Sequence, residues 1–153
     1  MSHEAEEALR RFIELFRQGK YFESHECLED YWRDHREPFY QGLIQLAVAR
    51  HHAERANPRG AKTQALKSFQ HLAPYFANDE HPGEPYGIDI AQLLTHLIHF
   101  VQSLDRGERI PPAPPLGEMH SGSILPSFLE KRKKKKVLRA LRTCRYTIRS
   151  PSA

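Results

Sequence analysis

Cysteine, methionine and tryptophan are scarce in this chain of 153 residues, with two, two and one of each. Cys27 and Cys144 fall in regions of different composition, so no disulfide framework is expected, which fits a reducing cytosol. Long apolar runs are missing too: nothing approaches the roughly 18 consecutive apolar residues of a membrane span. The opening MSHEAEEALRRF is acidic from its start and has no apolar core, so it is no secretory signal. A cytoplasmic chain is the expectation. Neither the two-residue alternation of strands nor a repeat period appears anywhere. What is left is an all-α fold.

Acids are nearly absent from the last part of the chain. Residues 1–120 hold 13 Lys/Arg against 18 Asp/Glu, a balance of −5, whereas residues 121–153 hold 10 Lys/Arg and a single acid, Glu130, a balance of +9. The overall +4 and pI near 9.2 therefore describe a mildly acidic domain with a basic tail. IPPAPP at 110–115 marks a boundary. The expected division is a helical domain over 1–112, a Pro/Gly/Ser-rich linker over 113–127, and a basic tail over 128–153 that is disordered or forms one short helix.

Five helices are expected within the domain. Residues 4–18 place Ala5, Leu9, Phe12, Ile13 and Phe16 at helical spacing, with acids at the start and Gly19 as the stop. A second helix should run from about Tyr21 to Asp34. At roughly 100° per residue, Tyr21, Phe22, His25, Leu28, Glu29 and Trp32 share one arc of about 120°, taken as the core-facing side. Glu37-Pro38 interrupts the pattern. A third helix, from about Phe39 to Ala56, is apolar around so much of its girth that it should be packed on several sides and lie at the centre. Gln41, Gln45 and His52 form a narrow polar stripe along it, and Gly42 invites close approach of another backbone. After the NPRG turn, a fourth helix over Ala61–Ala73 should end at Pro74. A fifth starts near Asp89 and stops at Gly107.

The stretch GKYFESHECLEDYWR, then PFYQGLIQLAVARHH, then NPRGA resembles a bacterial and archaeal family, the "domain of unknown function 309". Its pattern is His-Glu-x-x-Glu-x-x-Trp, then Gly-Leu-Ile-Gln, then Asn-x-x-Gly-Ala. Those motifs are matched here by His25, Glu26, Glu29 and Trp32, by Gly42, Leu43, Ile44 and Gln45, and by Asn57, Gly60 and Ala61. The likeness reaches to about residue 112 and includes the YGID opening of the last helix. The resemblance implies a compact bundle of about five helices. It brings no established activity, cofactor or substrate, and the basic tail lies outside it.

Three classes of function follow. In the first, His25 and Glu29 join Trp32, Tyr40, Gln41 and Gln45, with Glu26 at the border, in a buried polar network, and the chain is a non-catalytic binding or self-association module. In the second, the His-Glu-x-x-Glu helix is the centre of a metal-dependent or acid–base enzyme. His and Glu at i and i+4 can share a divalent ion, with His52 or another histidine (His51, His96, His99) completing the set. HECLE lacks the second histidine of a zinc-protease H-E-x-x-H, however, and Cys27 faces away from His25, so no nucleophile stands beside it. In the third, Lys131, Arg132, Lys133, Lys134, Lys135 and Lys136 contact RNA or an anionic surface. A homo-oligomer is the partner expected of the first class.

Overall fold

The computed structural model describes residues 2–77 and 87–116. They form α1 (His3–Arg17), α2 (Tyr21–His35), α3 (Pro38–Glu54), α4 (Pro58–Ala77) and α5 (Ile90–Arg106), an all-α bundle with no strand among the described residues. None of these helices is long and apolar enough to cross a membrane.

Local chemistry sets most of the helix ends. The Ser2 hydroxyl accepts the Ala5 N–H at 3.2 Å and starts α1. At its far end Gly19, at φ +75, lets the Gly19 and Lys20 amides turn back to the Phe16 and Leu15 carbonyls, both at 3.0 Å, a Schellman closure. Glu37 is extended, as a residue before proline prefers, and Pro38 then opens α3 where its missing N–H costs nothing. Asn57 Oδ1 accepts the Gly60 N–H at 3.1 Å to start α4, and Asp89 does the same for Gln92 in α5.

The packing runs α1 on α2, α2 on α3, α3 on α4 and α4 on α5, with the α3–α4 contact the most extensive. α3 is central, as its composition predicts: Phe39, Tyr40, Gly42, Leu43, Ile44, Leu46, Ala47, Ala49 and even Arg50 are buried. A Cβ at Gly42 would stand 2.6 Å from Leu72 Cγ, so the missing side chain is what lets α4 settle there. The Ser68 hydroxyl donates to the Gly42 carbonyl at 2.6 Å across the same contact.

Two expectations are corrected. The fourth helix does not stop at Pro74 but continues through it to Ala77. Pro74 is exposed, whereas the Tyr75 and Phe76 that follow it are buried. The Tyr75 hydroxyl accepts the Phe39 N–H at 3.0 Å, and these tertiary contacts offset the hydrogen bond that proline removes. The buried side of α2 is Tyr21, Ser24 and Leu28, with Cys27 and Tyr31 half-buried beside them. It is rotated by about 90° from the arc expected. Ser24 makes this possible: its hydroxyl donates to the Tyr21 carbonyl at 2.8 Å, so it enters the core already satisfied.

Beyond α5, residues 110–116 stay on the bundle. Leu116 is buried in the core cluster and Ile110 and Ala113 pack against it. Arg17 reaches the Leu116 carbonyl with Nε at 3.1 Å and Nη2 at 2.6 Å.

Candidate functional site

The rotation of α2 moves His25 and Glu29 to the rim of the α2–α3 packing. His25 keeps 16% of its side chain accessible and Glu29 42%, with Nε2 and Oε2 3.7 Å apart. The His25 Nδ1–H donates to the Phe22 carbonyl one turn back, which fixes the tautomer and points Nε2 toward the carboxylate. A true ion pair therefore requires Nε2 to carry a second proton. In the neutral ring Nε2 is a free base beside a carboxylate.

Phe22, placed inward by helical arithmetic, is 46% exposed. Its ring meets the His25 ring at 4.9 Å between centroids and the His51 ring of α3 at 5.3 Å. His52 follows His51 at 6.3 Å. An aromatic and imidazole surface thus crosses from the first turns of α2 to the last turns of α3, with Glu29 at its edge and Glu26 exposed beside it.

The other residues of the expected network are elsewhere. Gln45 Oε1 accepts from His71 Nδ1 of α4 at 2.6 Å, so it serves the α3–α4 seam and not His25. Tyr40 is fully buried between Tyr31 and Phe39, with ring centroids at 5.0 and 5.4 Å. Trp32 lies under the Arg36 guanidinium, 4.6 Å from its ring centroid, and its buried Nε1 has no partner among the described residues. Gln41 is half-buried on α3. His52 Nδ1 accepts from Asn57 Nδ2 at 3.2 Å. Among the described residues, no three His, Cys, Asp or Glu side chains gather as a metal would need, so His25, Glu29 and His52 are not brought together as a ligand set. Cys27 points its Sγ at the Ala8 carbonyl of α1, 3.8 Å away, and burial raises its pKa. It supplies no thiolate to the histidines. Lys131, Arg132, Lys133, Lys134, Lys135 and Lys136 lie outside the described residues, as do Cys144 and the short helix considered for the tail.

A second polar cluster escaped the reading of the sequence. Arg50 is 7% exposed, with its guanidinium carbon 5.3 Å from the Tyr21 ring centroid and 5.9 Å from that of Phe100. Nη1 donates to the Pro111 carbonyl at 3.0 Å and approaches His96 Nε2 at 3.5 Å, while Nε is buried without a partner among the described residues. Burial, then the charge of Arg50, then that of His99, lower the His96 pKa from 6.5 to about 4. Its Nε2 lone pair faces the arginine. The signal was available: Leu43, Ala47 and Arg50, at i, i+4 and i+7, share one face of α3.

Two of the three signature motifs now have physical roles. Gly42 admits Leu72, Gln45 ties to His71, and Asn57 caps α4 while its amide reaches His52. A Cβ at Gly60 would meet Asn57 Nδ2 at 2.6 Å and His52 Cγ at 3.1 Å, so the glycine leaves room for the Asn57 cap and the His52 ring. The model of the family described as "Domain of unknown function (DUF309)" matches residues 9–64. Over 87 residues, 54% of this chain, the sequence is 38% identical to the uncharacterized protein YpuF of Bacillus subtilis (strain 168). The matched stretch covers 47% of YpuF, so the chain spans about half the length of that relative. No solved structure matches. The matched residues 9–64 run from α1 into α4, and so through every one of those fastening motifs; over that stretch the chain is similar to the DUF309 family.

Proposed function

We propose that this chain is a non-catalytic helical binding module whose contact face is formed by Phe22, His25, Glu29 and His51, and that it self-associates through that face. The observation that carries this reading is the exposed Phe22. A large aromatic ring left 46% accessible, in contact with two imidazole rings, is a ready anchor for another protein surface. Glu29 at the rim adds polar selectivity. Sedimentation velocity of the full chain over a wide concentration range tests it. The wild type should shift toward a dimer as concentration rises, and Phe22→Ser and His51→Ala should each keep it monomeric. A wild type that stays monomeric throughout removes self-association.

A second reading keeps the free Nε2 of His25 beside the Glu29 carboxylate as a metal or acid–base site. Elemental analysis of the purified protein decides it: stoichiometric metal that is lost in both His25→Ala and Glu29→Ala would support this reading, and a metal-free, stable wild type would end its metal form. For RNA or an anionic surface at the basic tail, comparison of the full chain with one ended after Leu116, in low and moderate salt, is the test. Leu116 is retained because it belongs to the core. Equal binding by both chains would sink the tail hypothesis.

A further inference from the structure

Residues 110–116 read IPPAPPL, four prolines in seven, with φ preset by each ring and the residue before each proline held extended. Such a segment is a preformed ligand: its backbone carbonyls project outward, most of its amides are missing, and little entropy is lost on docking. Here it lies on the bundle. At one end the Pro111 carbonyl accepts from Arg50 at 3.0 Å, and at the other the Leu116 carbonyl accepts from Arg17 at 3.1 and 2.6 Å. These carbonyls are five residues apart, roughly 15 Å along an extended proline helix. Aromatic rings hold the Arg50 guanidinium in place. Phe16 and Tyr21 meet edge to face at 5.0 Å, and Arg50 faces both Tyr21 and Phe100. Leu116 is buried at 1% exposure and anchors the segment.

Side-chain donors to the outward carbonyls, with an apolar anchor at one end, are a means by which proline-rich peptides are held, and both are present here. Arg50 is otherwise difficult to account for. A buried guanidinium with no carboxylate partner among the described residues, and with Nε unsatisfied, contributes little to stability by itself. Its Nη1 instead serves a carbonyl of the docked segment. We infer that Arg17, Tyr21, Arg50 and Phe100 form a receptor groove for a proline-rich extended segment, filled in cis by Ile110–Leu116, which the same segment from a second copy of the chain can replace. This groove is separate from the Phe22 face, and the inference does not rest on that reading.

The test is fluorescence polarisation with a labelled peptide of residues 108–116, ERIPPAPPL, standing in for the segment of a second copy. It is titrated with the full chain and with full-length Leu116→Asp, whose own segment is loosened. Circular dichroism first establishes that each variant keeps its helices. Leu116→Asp should bind the peptide at least about tenfold more tightly than the wild type, because the competing occupant is released. Adding Arg50→Met should reverse most of that gain. Arg17→Ala, at an exposed position that does not threaten folding, should weaken binding several-fold. A peptide with glycine in place of Pro111 and Pro114 should bind about tenfold worse. A helical Leu116→Asp that takes up no peptide overturns the groove. So does equal uptake by wild type and Leu116→Asp, or indifference to Arg17→Ala and to the glycine peptide.

Discussion

The two polar clusters of this molecule invert what their sequences suggest. His25 and Glu29 carry the motif, yet they stand at the rim of α2, 3.7 Å apart and in part open to solvent. Arg50 and His96 carry no motif, yet they are buried beside aromatic rings, and Arg50 is joined to the chain beyond α5. A polar pair at the surface exchanges water for a partner at little net gain. A polar pair in the core has already lost its water, so its remaining contacts decide whether that end of the bundle holds together. Disruption should therefore be costly at the Arg50 end and cheap at the motif.

The largest effect is expected where the segment after α5 docks beside Arg50 and Arg17. Leu116→Ala removes a side chain that is 1% exposed and should lower the unfolding free energy by about 2–3 kcal/mol, toward the low end for a buried leucine because a terminal segment can readjust. Urea denaturation at neutral pH measures it. A loss under about 0.5 kcal/mol would show that the segment is not an integral part of this end of the core.

Acid should reveal His96 next. Its folded pKa is lowered to about 4 from 6.5, so between those values the unfolded chain binds a proton that the folded chain refuses. Stability is then complete above about pH 6.5 and falls as the pH drops toward 4, by about 2–3 kcal/mol for this one group. The cause is burial first and the Arg50 charge second, since a protonated Nε2 would face a guanidinium donor. Urea midpoints for wild type and His96→Gln, at pH 7 and pH 4.5, isolate the contribution: the variant should lose that much less on acidification. Parallel losses in the two proteins would place the acid sensitivity elsewhere.

At the α3–α4 seam the expected cost is intermediate. Gln45→Ala leaves His71 Nδ1 without the acceptor it now has at 2.6 Å, and should cost about 1 kcal/mol. His71→Ala in the same background should add little if the two act as a pair, which a double-mutant cycle reads directly.

Legibility in the sequence followed the range of the forces involved. Helix ends at Gly19, Pro38, Asn57, Asp89 and Gly107 were readable because capping and proline sterics act within a few residues. Pro74 does not end α4 because the Tyr75 hydroxyl accepts the N–H of Phe39 in α3, a partner 36 residues away in the chain. The face of α2 was misread because Ser24 counts as polar, yet meets its own needs on the Tyr21 carbonyl. Arg50 is hidden in the same way in stronger form: a formal charge gives no sign of burial, although its helical position lies on one face with Leu43 and Ala47. The partner of Gln45 was invisible because His71 lies in another helix, 26 residues on.

The smallest expected effect concerns the motif that first drew notice, and it is the sharpest test of the comparison. Had His25 and Glu29 been sealed between α2 and α3, removing either would orphan a buried group and cost about 1–3 kcal/mol. At the rim, water can take the place of the missing partner. Glu29→Ala should therefore change the unfolding free energy by less than about 0.5 kcal/mol at neutral pH. His25→Ala sacrifices in addition its ring contact with Phe22 and the bond from Nδ1 to the Phe22 carbonyl, so it should cost slightly more, still under about 1 kcal/mol. If either variant lost 2 kcal/mol or more, water would not be replacing the partner, and the contrast with the Arg50 end would fail. If both are as mild as expected while Phe22→Ser and His51→Ala change sedimentation, stability cannot be the reason for a histidine, a glutamate and an exposed phenylalanine on one helical face, and contact with a partner is left to explain them.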